Sequence, residues 1–292
     1  MSVNSHTSSL FHYTKSCDDV ISILQQGLKF SYCKEKFNDE ICVGIPMICF
    51  CDIPISRNEE HSEHYGNFAI GFTKRHLTTV TGRFINPVNY IMSDRQIEGA
   101  MLLRNFANAE KEKISALIRE KEQEGAPKIK LSFKGKKFEG VETDYSSGFS
   151  FLKSMIDGDD WYRKAISLIG FMKRYEGKGK KGVYINYNEC EWRIVLPENT
   201  KLLDGSLCEW FWCEQEYDEW RNGRDDKFVN FNPVPFDVMD ITTIIVPTEE
   251  DKLDLTLRLS KLKKLCGWDL SKEGRTCLLS KVISSEYINK NF

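Results

Sequence analysis

Two short apolar runs most constrain this chain, because each carries ionisable side chains where a strand would be buried. The first is Leu10-Phe11-His12-Tyr13-Thr14, and the second, about 180 positions later, is Glu189-Cys190-Glu191-Trp192-Arg193-Ile194-Val195. A buried imidazole or carboxylate costs folding free energy unless a partner satisfies it. Each run therefore predicts a paired polar group inside a core.

Other strand signals are Ile45 to Phe50, closed by Pro54; Phe68 to Phe72; Asn86 to Ile91; Val183 to Ile185; and Ile241 to Val246. Ser16, with Asp18 and Asp19, predicts a helix start, and Gly27 its end. Thr248 with Asp251 predicts a capping box ahead of a leucine-rich helix. Longer helical stretches are expected from Asp94 to Glu124, with Met101, Leu102 and Phe106 on its apolar stripe, and from Trp161 to Tyr175. A polar helix is expected from Ser56 to Tyr65, and a loop over residues 125–148. Strands scattered among helices of uneven length predict a mixed α+β fold. No Gly-x-Gly-x-x-Gly follows a strand, so a doubly wound dinucleotide fold has no support.

The ten cysteines form no Cys-x-x-Cys pair and read as reduced, packed thiols. Cys49 and Cys51 should share one strand face. His61 and His64 sit among glutamates in what reads as an exposed helix turn, and no metal is expected. A formal net charge of -2 gives no global attraction to polyanions. Any such contact would fall to the lysine-rich stretches 128–137 and 173–181. The aromatic segment from Trp210 to Trp220 is rich in acids, which favours core packing or protein docking over nucleic acid. With no secretory signal and no membrane-length apolar run, the expected location is the cytoplasm, away from membranes.

Leu10-Phe11-His12-Tyr13-Thr14 resembles the first-strand motif of the histidine–tyrosine–glutamate class of ADP-ribosyltransferases, and the helix ending at Gly27 resembles the same region of DarT-like toxins. Met47 to Cys51, followed by Ser56 and Tyr65, looks like the second motif, with Phe50 in place of the usual tyrosine. Glu189-Cys190-Glu191 looks like the last. The resemblance implies a split mixed sheet within a single domain, an insertion at about 94–180 and a C-terminal extension at about 200–292. It implies NAD as substrate, Glu191 as the catalytic carboxylate and Glu189 as its helper. His12 and Thr14 would hold the ribose, and Tyr65 or Tyr13 would stack on nicotinamide. Arg193 would pair with Glu191 or bind pyrophosphate. A carboxylate fixed beside a developing oxocarbenium suits that chemistry, provided His12 and Glu191 converge on one cleft.

The chain also resembles the abortive-infection AbiGi family through His12-Tyr13-Thr14, Ile48 to Pro54, His64-Tyr65-Gly66 and Glu191-Trp192-Arg193. That family carries an antitoxin label in phage defence. Two functions follow as expectations. One is a toxin-like transferase of ADP-ribose from NAD to a macromolecule, RNA or DNA, restrained by a neutralising antitoxin. The other is a non-catalytic antitoxin or interaction protein. In the plainer reading of the same residues, His12 is a hydrogen-bonded core residue and Glu189, Glu191 and Arg193 form a strand-face ion pair.

Overall fold

A computed structural model describes residues 8–53, 65–79, 85–123, 132–133, 136–137, 167–179 and 182–291. Ser56, His61 and His64, with the helix expected over 56–64, lie outside the described residues, as does most of the 125–148 stretch. The chain divides into two compact units, Met1–Met92 with Gly170–Phe292, and Ser93–Ile169.

In the first unit the order begins β1 (Ser9–Thr14), α1 (Cys17–Gln26), β2 (Ser31–Lys36), β3 (Cys42–Cys51), β4 (Phe68–Thr73), α2 (Lys74–Thr79), β5 (Ile85–Pro87) and β6 (Asn89–Ile91). The second unit contains α3 (Asp94–Gln123) and a hairpin of β7 (Ser132–Phe133) and β8 (Lys136–Lys137). Leu102 and Phe106, expected on the apolar stripe of α3, are exposed. The first unit resumes with β9 (Met172–Arg174), β10 (Glu176–Gly179), β11 (Gly182–Ile185), β12 (Glu191–Val195) and α4 (Glu214–Asn222). It closes with β13 (Ile241–Val246), α5 (Glu249–Ser260), β14 (Lys264–Leu265), β15 (Trp268–Asp269), α6 (Lys272–Leu279), β16 (Val282–Ser284) and α7 (Ser285–Asn291).

The main sheet has eight strands in the order β16-β13-β4-β1-β3-β12-β5, with β2 also paired to β3. Only β13 and β16 run parallel, so the sheet is mixed and the fold is α+β, as the scattered strand signals predict. The long β3 is shared unevenly. Cys51 pairs with Phe11 on one side and Glu191 on the other, while Met47 pairs with Ser31 and Val195. Thus β1 and β2 both take the edge of β3 opposite β12, and they part around Cys49.

Local chemistry explains the frame. Ser16 Oγ accepts from Asp19 N–H at 3.1 Å to start α1, and Gly27 ends it at φ 86°. A Cβ there would sit 2.9 Å from the Val234 carbonyl oxygen, so glycine fits both the angle and the space. Thr248 and Asp251 form the predicted capping box of α5. The rings of Phe50, Phe72 and Phe236 interlock edge to face at 6.1 and 4.9 Å. Full burial of each such ring contributes roughly 1.5–3 kcal/mol.

The aromatic segment packs inward. Gly44 and Phe211 exchange two backbone hydrogen bonds, and the ring of Trp220 packs at a tilt against that of Tyr32, centroids 4.4 Å apart. A second expectation is corrected. Residues 168–175, read as the end of a helix, instead form a 3₁₀ turn, Leu168–Phe171, followed by β9. The parallel pairing of β9 with β6 overrides the local helical pattern.

Candidate functional site

At the start of β12 the chain gathers a dense cluster of buried charge. Alternation along the strand puts Glu191 and Arg193 on one face, and their registry with Cys51 and Cys49 puts those two thiols on that face as well. Arg193 is 0 % exposed and Glu191 4 %. Arg193 Nε donates to Glu191 Oε1 at 2.7 Å, and Nη2 donates to Glu35 Oε1 at 2.6 Å and to Glu191 Oε2 at 3.2 Å. Its Nη1 donates to the carbonyls of Gly170 and Met172 at 3.0 and 3.2 Å. Lys173 completes the set from β9, reaching Glu189 Oε2 at 2.6 Å and Glu191 Oε2 at 2.8 Å. Tyr65 donates to Glu189 Oε1 at 3.0 Å, and Lys173 Nζ donates to the Tyr65 hydroxyl at 3.2 Å.

Burial and charge pull the two carboxyls apart. Burial alone would raise the pKa of Glu191, but Arg193 and Lys173 outweigh it and hold the group well below the usual carboxylate range. For Glu189 burial wins over Lys173, so its pKa is raised. Burial also opposes charge on Lys173 and Arg193, yet Glu191 and Glu35 push both pKa values upward. The phenol of Tyr65 is raised by burial.

The structure brings together Glu189, Glu191, Arg193 and Tyr65, all singled out from the sequence. Glu189, however, is not the first residue of an extended strand. It ends a 3₁₀ turn, Asn186–Glu189, and Cys190 follows at φ 44° in the left-handed region. That break, rather than strand alternation, turns Glu189 toward Lys173.

His12 does not join the cluster. Its neighbour Phe11 is in register with Cys51 and Glu191, so the His12 side chain leaves β1 from the other face. The ring lies 5.7 Å from that of Phe50, and Nδ1 is 2.8 Å from the Cys49 carbonyl in the gap between β1 and β2. Burial lowers the His12 pKa, and the Cys49 carbonyl opposes that shift. Phe50 is a fully buried core ring. Tyr13 packs against Phe11, Ala69 and Ile245, and Thr14 pairs with Phe68.

Sequence reasoning missed Lys173, Glu35 and Tyr90, whose hydroxyl accepts from the Glu191 N–H at 2.8 Å. Lys173 opens the lysine-rich stretch 173–181, where it stood only as a candidate for polyanion contact. Glu35 belongs to the alternating segment Ser31-Tyr32-Cys33-Lys34-Glu35-Lys36, a strand pattern that could have pointed to it.

A family model described as "abortive phage resistance protein AbiGi, antitoxin" matches residues 25–247. The abortive phage resistance protein AbiGi of Lactococcus lactis subsp. cremoris is 28 % identical over 159 residues, covering 52 % of this chain and 51 % of the relative. The chain thus spans about half the length of that curated relative. No solved structure matches. Among the described residues, no helix is long and apolar enough to cross a membrane. With the family match running through both β3 and β12, the chain belongs to the AbiGi family of abortive phage resistance proteins.

Proposed function

We propose that this protein is the antitoxin-type member of an abortive-infection system, restraining a toxin by binding it and performing no turnover itself. The observation that carries this reading is the saturation of Glu191. One carboxylate oxygen takes Arg193 Nε, and the other takes Lys173 Nζ and Arg193 Nη2, all from its own chain. A carboxylate that stabilises developing positive charge must face the reacting atom. Glu191 instead faces two fixed cations in a sealed interior. The description of the matching family agrees with a binding role. Growth of cells separates the outcomes. The chain expressed alone should leave growth unaffected and should rescue cells from the toxin encoded beside it. Arrest by the chain alone would overturn this reading.

A second reading is NAD-dependent transfer of ADP-ribose to nucleic acid, and one arrangement favours it. Two carboxylates and Tyr65 gather at the head of β12, whose neighbour β3 is the strand along which β1 and β2 part around Cys49. For that chemistry Glu191 would have to leave both Arg193 and Lys173, and a dinucleotide would need space beside the packed ring of Phe50. Cellular NAD loss or labelled nucleic acid, abolished by Glu191→Gln in a folded protein, would move this reading ahead of the first.

A further inference from the structure

The stretch from Lys261 to Arg275 differs in charge from the chain around it. It holds five bases and two acids, in a protein whose formal net charge is -2. Within α5 the bases are paired, Lys252 with Glu249, and Arg258 with Asp254 and Asp18. Beyond α5 the pairing stops. Lys261, Lys263, Lys264 and Lys272 are exposed, and among the described residues no carboxylate lies within ion-pair distance of them. Arg275 is turned inward, its Nε donating to the Leu262 carbonyl at 3.0 Å.

Between these lysines stands Trp268, 76 % exposed. The hairpin of β14 and β15 pairs Leu265 with Trp268 across a two-residue turn, Cys266-Gly267. Both turn residues have positive φ, 48° and 84°, as a type I′ turn requires. Cysteine is strained in that conformation, and two bonds pin it. The N–H groups of Cys266 and Gly267 donate to the carbonyls of Leu24 and Gln25, at the end of α1, at 2.8 and 2.9 Å. Leu265 is buried, while the indole is held out in water.

A single exposed apolar side chain needs no explanation by itself. Tryptophan on a pinned turn amid unpaired lysines is another matter, because a preorganised ring loses little freedom when it enters a pocket. Charge selects the occupant, and the lysines before and after Trp268 call for carboxylates opposite them. The acids present argue against a polyanion. Asp269, in register with Lys264, and Glu273, beside Lys272, would face phosphates. Trp268 is also the sole aromatic residue of the stretch, whereas successive bases need successive rings. Asp240, whose charge reaches Cys266, is engaged within the fold. It accepts from the Asp237 N–H at 2.9 Å and faces His76 Nδ1 at 3.1 Å.

We propose that the β14–β15 hairpin is the anchor by which this protein holds its toxin, with Trp268 entering an apolar pocket whose rim is acidic. Carboxylates of that rim would pair with Lys261, Lys263 and Lys264 before the indole and with Lys272 after it. This rests on the antitoxin reading and adds the place and chemistry of the contact.

The test uses the full-length chain co-expressed with the toxin encoded beside it, and binding of the two purified proteins at several salt concentrations. Trp268→Ala should weaken binding at least about tenfold and lose rescue, with thermal unfolding unchanged. The triple variant Lys261→Glu/Lys263→Glu/Lys264→Glu keeps the indole. It should slow association and remove most of the salt dependence of the wild-type rate. Full rescue and unaltered affinity in both variants would overturn the proposal while leaving the antitoxin reading in place. Failure of the wild-type chain to rescue would overturn both. Unaltered toxin binding by Trp268→Ala, with loss instead of affinity for a single-stranded oligonucleotide or for phosphatidylserine vesicles, would give the hairpin another occupant and also overturn the proposal.

Discussion

Arg193 and Glu191 stand two positions apart on one strand and hold each other charged inside the protein, Nε to Oε1 at 2.7 Å. Each offsets the cost of burying the other, since taking an unpaired charge out of water costs several kcal/mol. The guanidinium also binds Glu35 of β2 and two carbonyls at the head of β9. One side chain thus ties together three segments distant in sequence.

Arg193→Met should therefore destabilise the fold by about 3–5 kcal/mol, the usual cost of stranding a buried charge. Arg193→Lys should recover little of it, since one ammonium cannot reproduce the directions of Nε, Nη1 and Nη2. Chemical denaturation of both variants measures this. A loss under about 1 kcal/mol for Arg193→Met would show that the cluster does not organise the fold.

The two carboxyls predict opposite responses to acid. The pKa of Glu191 is lowered in the fold from an ordinary 4.5. Its stabilisation is therefore complete above that value and is lost as pH falls through the folded-state pKa. The pKa of Glu189 is raised, so its contribution favours the fold at low pH and fades as pH rises through its folded value. Melting temperature followed from neutral pH to below about 4.5 should fall less steeply in Glu191→Gln than in wild type, and more steeply in Glu189→Gln.

Lys173 and Tyr65 touch the same carboxylate with unequal consequences. Lys173→Met removes the cation shared by Glu189 and Glu191 and should cost several kcal/mol. Tyr65→Phe removes one hydroxyl from Glu189, whose other oxygen keeps Lys173, and should cost about 1 kcal/mol. Equal losses in the two variants would contradict this ranking.

Gly44 reports on the aromatic cover of β3. An added Cβ would lie 2.5 Å from the ring of Tyr217 and 3.0 Å from that of Phe211. Gly44→Ala should cost about 1–3 kcal/mol through overpacking, and should perturb the near-ultraviolet signal of the surrounding tryptophans. An unchanged spectrum and stability would mean the cover shifts freely.

Much of the frame was legible because its signals are local. Ser16 and Gly27 bound α1, Thr248 and Asp251 start α5, and the β-branched run from Ile241 to Val246 is β13. The site was legible only in part, because long-range pairing sets its geometry. Alternation correctly put Glu191 beside Arg193. It could not foresee that Cys190 would take left-handed backbone and turn Glu189, nor that β9 would pair with β6 and deliver Lys173. The local pattern of β1 likewise says nothing of Phe11 meeting Cys51, the one registry that sends His12 away from the carboxylates.

The most direct test of a binding role against turnover is incubation of the purified full-length protein with labelled NAD and cell lysate, beside Glu191→Gln. A sealed structural carboxylate predicts no macromolecular label above background in either sample. Label incorporated by the wild type and lost in a folded Glu191→Gln variant would contradict the account.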